Sequence, residues 1–365
     1  MAKKTKVTHA SRLKTKQVKS GAAGTSTRSK QITINDIARL AGVSKKTVSR
    51  VINNVPTVNK DIRERVNEVI AKTGFKPNPQ ARGLAFRKSF LIAMIYDNPN
   101  ATFIVGMQAG ILDALRGSGF ELLVHQCDRH SPQFVPDVRE FVERLQPHGV
   151  ILLPPISENP LLLKMLDEAG CPHVSVAAAK VEAAMYRVVS GDRAACAEAA
   201  LHLIDLGHKH IAVIAGPEGH RSVKERLSGF IGALQSRGLQ MPQEFIAHGA
   251  YTFESGIQAG EKLLSQQPRP TAIFSTNDEM AAGVYQVAHR LGISIPEDLS
   301  VVGFDDNPIA SRLWPPLTTI RLPIPLMARL ATIPLISSSA QQDAAMVEPK
   351  LIIRNSTQAP PAANG

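Results

Sequence analysis

The sequence has too few cysteines for a disulfide framework. Its 365 residues hold three, Cys127, Cys171 and Cys196, an odd number, far apart and without a C-x-x-C pairing; this usage also argues against structural zinc. No apolar run reaches the roughly 20 residues that cross a bilayer. No apolar segment follows the N-terminal lysines as it would in a secretory signal. The expectation is a cytoplasmic protein without membrane attachment. The chain also lacks the marks of an enzyme. GPEGHRS is not a phosphate loop, because it lacks the G-x-x-x-x-G-K-[ST] spacing, and no nucleophile stands with an activating base. His208 and His210, in LGHKH, precede a strand-like run with no carboxylate or cysteine at zinc spacing, so they read as structural histidines. No catalytic residue, metal or cofactor is expected.

Acidic residues are scarce at one end only. Residues 1–88 hold 21 Lys and Arg against four acids (Asp36, Asp61, Glu64, Glu68), a net charge of +17, whereas the remainder holds 21 against 27, a net of −6. Such asymmetry is the footprint of one module that neutralises phosphates attached to a body that does not. Residues 1–30 carry nine Lys or Arg and no acid among Ser, Thr, Gly and Ala. This composition predicts a disordered basic tail, which either adds non-specific phosphate attraction or is a dispensable leader.

Residues 31–77 read as three short helices. Thr33 and Asp36 form an N-cap with an acid in the first turn, and Ile37, Ala38 and Ala41 share one face. Gly42 permits a tight turn, and Ser44 caps a second helix with Val48, Val51 and Ile52 inward. Asn59 caps a third, with Ile62, Val66, Val69 and Ile70 inward and Gly74 at its end. A helix pair joined by a Gly-containing turn is the helix-turn-helix, whose second helix enters the major groove. Here that helix carries Lys45, Lys46 and Arg50, donors for guanine or phosphate, and the hydroxyls of Thr47 and Ser49. A plain helical hairpin with a solvated basic face is the competing reading, and the net charge of the segment favours DNA.

From Ser89 onward, apolar runs (FLIAMIYD, FELLVHQCD, GVILLPP, HVSVAA, HIAVIAGP, TAIFSTND, LSVVGFDD) alternate with amphipathic stretches. That alternation predicts an α/β core with doubly wound parallel sheets in two lobes and a cleft between them. Open parallel sheets bind ligands beyond the carboxyl ends of their strands. Those ends carry Asp97, Asn277, Asp278, Asp305 and Asp306, groups suited to hydroxyls. Asp278 and Asp306 read better as helix caps. Pro334 in MARLATIPLISSSAQQ should end or kink the last helix.

The stretch TINDIARLAGVSKKTVSRVINN, followed by GFKPNPQARGLA, resembles the headpiece and hinge of the lactose-repressor and galactose-repressor (LacI/GalR) family of bacterial transcription regulators. The likeness continues through HLIDLGHKHIAVIAGP, KERLSGF, FSTNDEMAAGV, IPEDLSVVGFDD and PPLTTIR. It implies base contacts for Lys45, Lys46 and Arg50 and backbone contacts for Ser44, Thr47 and Ser49, in a DNA-binding set completed by Thr33, Asn53 and Arg82. Leu84, in a hinge helix over 78–88, matches the leucine that wedges into the minor groove, although a Leu there could instead pack on the core. Arg226, Asn277 and Asp305 match effector-contacting positions, Tyr251 matches an aromatic that stacks on the ligand, and Phe103 and Ser222 are expected nearby. Ser190-Gly191 stands where many members have an acid and an amide, and VAAAK lacks a polar residue common at that strand end. The identity of the sugar therefore does not carry over.

The expected organisation is a tail (1–30), a helix-turn-helix headpiece (31–77), the hinge helix (78–88) and a periplasmic-binding-protein-like core (89–365). Within the core the N-lobe takes about 89–188 and 319–345, and the C-lobe about 189–318 and 346–365. The expected function is a ligand-responsive repressor, a homodimer on palindromic double-stranded operator DNA with a sugar-like or related polyol effector in the cleft. A receptor-type solute-binding protein shares the two lobes but would lack the basic headpiece.

Overall fold

The computed structural model describes residues 32–52, 57–75, 89–177, 186–337 and 344–361. The basic tail, Asn53, and the hinge with Arg82 and Leu84 lie outside them. The chain divides into two compact units, Met1–Pro77 and Asn78–Gly365.

The first unit is built from α1 (Ile34–Ala41), α2 (Lys45–Ile52) and α3 (Lys60–Thr73). Thr33 starts α1 with a full capping box: the Asp36 amide donates to the Thr33 hydroxyl, and the Asp36 carboxylate accepts from the Thr33 amide at 3.0 Å. Two orphan donors of the first turn are thus satisfied reciprocally. Gly42 ends α1 at φ 63°, a left-handed conformation that costs glycine nothing. Ser44 Oγ accepts from the Thr47 amide at 3.1 Å, and Asn59 Oδ1 accepts from the Asp61 amide at 2.8 Å, so each later helix also begins at a side-chain cap. Ile37, Ala38, Ala41, Val48, Val51 and Val66 close one small core, with Ile52, Ile62, Val69 and Ile70 packed on its edge.

The second unit holds two six-stranded sheets. The first comprises β1 (Leu91–Tyr96), β2 (Glu121–Gln126), β3 (Gly149–Leu152), β4 (His173–Ala177), β5 (Tyr186–Ser190) and β11 (Ala344–Val347), in the order β11-β5-β4-β3-β1-β2. The second comprises β6 (Ile211–Ala215), β7 (Ile246–His248), β8 (Ala272–Ser275), β9 (Ser300–Asp305), β10 (Thr318–Arg321) and β12 (Lys350–Ile352), in the order β12-β10-β9-β8-β6-β7. Every described pairing is parallel except that of β10 with β12. Parallel sheets need both faces covered, and the central strands accordingly read as continuous apolar runs: β3, β4, β6, β8 and β9 are buried from end to end.

Three helices begin where a strand of one sheet has just delivered the chain to the cleft. They are α4 (Ala101–Leu115) after β1, α7 (Asp192–Asp205) after β5 and α8 (Arg221–Ser236) after β6. Between α4 and α7 lie α5 (Phe134–Leu145) and α6 (Pro160–Glu168). Beyond α8 lie α9 (Phe253–Leu264), α10 (Asp278–Arg290) and α11 (Ile324–Ile336).

The lobe boundaries differ from the sequence expectation. Strand β5 stays in the first sheet through Ser190, β10 belongs to the second sheet, and β11 stays in the first through Val347. The chain therefore crosses at 190–191, at 322–323 and after 347, rather than before 189, 319 and 346. The reason is that β10 pairs through its backbone while its buried side chains are mostly threonines, Thr318 and Thr319, so no apolar run marks it. Helix α11 ends two residues after Pro334, a residue that removes one donor from the helical ladder. The end is closed by Ser337, whose amide and hydroxyl both donate to the Ile333 carbonyl, at 3.0 and 2.7 Å.

Candidate functional site

In the first unit, Lys45, Lys46 and Arg50 project as exposed cations from α2, on the side away from Val48 and Val51. Thr47 and Ser49 are half-buried between them. Thr33 and Ser44 are cap residues, and the Ser44 hydroxyl also lies 2.9 Å from that of Thr47. Positioning is therefore their first structural task. The helix carries no acid, so its outer face presents only positive charge and hydroxyls.

In the second unit the carboxyl ends of both sheets face a cavity of about 50 Å³, whose lining includes Asn98, Asn100, Phe103, Ser190, Asp192, His220, Ser222, Arg226, Tyr251 and Asp305. That is room for a few waters.

Arg226 is the centre of the C-lobe wall. Its Nε donates to Asp192 Oδ2 at 2.8 Å and its Nη1 to the Thr276 carbonyl at 2.7 Å. The guanidinium lies over the Phe304 ring, 3.6 Å from its centroid, a cation–π contact. Burial works against its charge, but Asp192, Tyr251 and Asp305 outweigh it and hold the group above its ordinary value. Ser190 donates its hydroxyl to the other oxygen of Asp192. A buried ion pair is thus fixed at both ends before any ligand arrives.

Asp305 ends β9 at φ 111°, and Tyr251 sits at φ 62°. Both are left-handed backbone positions that a side chain occupies at a cost of about 1–3 kcal/mol unless its surroundings fix it. The surroundings do so here. The Asn100 Nδ2 donates to Asp305 Oδ2 at 2.8 Å, a direct bond between the lobes. The other end of that amide accepts from the Phe103 amide at 3.1 Å, capping α4. Burial lifts the Asp305 carboxyl to about 6, against the pull of Arg226 and Asn100. The Tyr251 ring lies on Gly216, where any Cβ would come within 2.2 Å of it. His220 Nε2 is buried here without a hydrogen-bond partner among the described residues, and the Tyr251 hydroxyl lies within reach of Ser222. Buried polar groups are nearly always satisfied, so His220 Nε2 has room for one further partner, a water or a ligand group. The His220 ring is neutral near pH 7: burial and then Arg129 lower its pKa to about 4.

Of the residues expected at the effector, Phe103, Ser222, Arg226, Tyr251 and Asp305 line the cavity. Asn277 does not. Its amide is used at both ends, capping α10 through the Met280 amide at 3.0 Å and donating to the Tyr251 carbonyl at 2.9 Å, so it positions Tyr251 instead. Asp97 is also elsewhere, paired with Arg129 at 3.3 Å. Neither Asp278 nor Asp306 is a helix cap. Asp278 accepts from the Asn307 amide at 2.8 Å and from the Thr319 hydroxyl at 2.6 Å, and Asp306 holds Arg321 and Arg354, both at 2.6 Å. His208 spends its ring nitrogens on Thr271, Ser300 and the Gln358 carbonyl. Among the described residues no cluster of His, Cys, Asp or Glu is placed to hold a metal.

Sequence reasoning missed Asn100, Asp192 and His220. The only local signal was their place at a helix start just after a strand.

Comparison with known proteins bears on both units. The bacterial regulatory proteins of the lacI family match residues 33–78, and the periplasmic binding protein-like domain matches residues 200–357. Catabolite control protein A of Priestia megaterium is 33% identical over 299 residues, covering 80% of this chain and 88% of that one. The chain belongs to the LacI family. A solved structure of the Lac repressor dimer bound to operator and the anti-inducer ONPF is 27% identical, with a TM-score of 0.75 over 90% of this chain and 100% of that one. A transcriptional regulator CelR–cellobiose complex is 29% identical, with a TM-score of 0.67 over 89% and 99%. This LacI-family chain is accordingly a transcriptional repressor with a helix-turn-helix DNA-binding domain and a two-lobed ligand-binding domain. None of its described helices is long and apolar enough to cross a membrane.

Proposed function

We propose that the protein is a homodimeric, ligand-responsive repressor that binds a near-palindromic operator and takes a small sugar-like effector between its lobes. The observation that carries the ligand reading is a cavity wall that brings Arg226, Asp192, Asp305, Tyr251 and the unpartnered His220 Nε2 together at the carboxyl ends of both sheets. Carboxylate and guanidinium together suit paired hydroxyls, and the faces of Phe103 and Tyr251 suit the apolar side of a sugar ring. On the DNA side, Lys45, Lys46 and Arg50 read bases while Ser44, Thr47 and Ser49 meet the backbone. A single three-helix head covers too little DNA for strong specificity, which favours two heads on two half-sites. The solved Lac repressor, a dimer on its operator, supports the same arrangement.

The test is a gel-shift titration of the full chain on duplexes selected from a random pool, with and without single sugars, beside the native mass. A dimer whose DNA affinity is changed by a sugar is expected. A monomer, or a chain that binds every duplex equally, would overturn the proposal.

A further inference from the structure

We propose that the cleft selects an uncharged polyol and rejects the phosphorylated or carboxylated form of the same sugar. The inference rests on the effector reading above and goes beyond it by fixing the charge of the ligand. Among the described residues, the charged side chains lining the cavity are Asp192, Arg226 and Asp305, two carboxylates against one guanidinium. That single cation is already engaged, through Nε with Asp192, through Nη1 with the Thr276 carbonyl and through its face with Phe304. Its charge is therefore balanced by Asp192 before a ligand arrives, and what it still offers is hydrogen-bond donors without a spare positive charge.

Further acids stand behind the same wall. Glu279 and Asp192 both push the Asp305 carboxyl upward, and Asp305 in turn pushes up Asp278. His220 contributes a neutral ring. The other usual receptor for phosphate is a helix N-terminus, and three begin beside the cavity. That of α7 carries the Asp192 carboxylate in its own first turn. That of α4 is occupied by Asn100. That of α8 has no side-chain cap, but its Arg221 acts on the carboxyl of Glu158, which lies beside it. A phosphate or carboxylate brought into the cleft would therefore be desolvated next to Asp305 with no spare cation among the described lining residues to receive it, an arrangement that opposes binding. An uncharged polyol meets no such penalty: its hydroxyls donate to Asp305, accept from Arg226 and satisfy His220.

The test is calorimetric titration of the full chain near pH 7.5 with matched sets of aldopentoses and aldohexoses, their terminal phosphates and their uronates. A neutral member is expected to bind, and its phosphate and uronate to bind at least 100-fold more weakly. An anionic member that binds as tightly as its neutral parent overturns the inference while leaving the effector reading intact. Binding by no member removes the effector reading and the inference with it. In Asp305→Asn the discrimination between neutral and anionic forms should shrink at least tenfold, and an undiminished ratio would contradict the role given to Asp305.

Discussion

Lys45, Lys46 and Arg50 in the first unit and Arg226 in the second carry the same charge in opposite settings. The first three stand in water on a helix with no acid, so their electrostatic work is long-ranged, screened by salt and available to any polyanion. Arg226 is buried against Asp192 and stacked on Phe304, so its charge is spent inside the protein and what it offers a ligand is geometry. The contrast teaches that net charge locates the DNA-binding unit but says nothing of where the ligand sits.

The largest effect should come from breaking the buried pair. Asp192→Ala leaves the Arg226 guanidinium buried without its carboxylate, and a loss of about 3–5 kcal/mol is expected in denaturant unfolding. Removing an exposed cation such as Lys46 should change stability by less than about 0.5 kcal/mol. Similar losses at both sites would erase the contrast.

Next comes Asp305. Its carboxyl rises from 3.8 to about 6 on folding, so the folded chain binds more protons between about pH 4 and pH 6, and stability from this group falls as pH rises through that window. His220 works in the opposite direction, because its pKa falls from 6.5 to about 4 and its contribution grows as pH rises. The informative quantity is therefore the difference between wild type and Asp305→Asn. Relative to the variant, wild type should lose up to about 3 kcal/mol between pH 4 and pH 7, measured by chemical denaturation. A flat difference would mean that Asp305 is not held in a desolvated site.

The smallest effects belong to the exposed face. Arg50→Ala should cost about 1–3 kcal/mol of discrimination between selected and random duplex. Lys46→Ala, if Lys46 meets a phosphate, should lower the slope of log affinity against log salt by about 1 with little change in sequence preference. An unchanged slope would move Lys46 away from the backbone.

How much of this was legible in the sequence follows from what each element needs. The three helices of the first unit were readable because Thr33, Gly42, Ser44, Asn59 and Gly74 mark their ends and the apolar spacing marks their faces. Central strands of the sheets were readable as apolar runs. The edge strand β7, of three residues, and β10, with its buried threonines, were not. At the cleft, the resemblance carried Arg226, Tyr251 and Asp305 to the cavity wall. It misplaced Asn277, because an Asn at a strand end serves a cap and a ligand equally well until its two amide ends are accounted for. Asn100 was out of reach: its bond to Asp305 joins positions 205 apart in the chain, and no local pattern encodes a contact across two lobes.

The account's central claim is that exposed cations hold DNA while the buried wall around Asp305 hears the ligand. It is tested most directly by a DNA-binding titration of wild type and Asp305→Asn, at two salt concentrations, with and without the sugar that binds wild type in calorimetry. The predicted result is that both proteins bind the selected duplex with the same salt slope and that the sugar shifts only wild type, by fivefold or more, in keeping with a coupling free energy of at least about 1 kcal/mol. An Asp305→Asn protein that responds to the sugar as wild type does, or that loses DNA binding when no sugar is present, would contradict it.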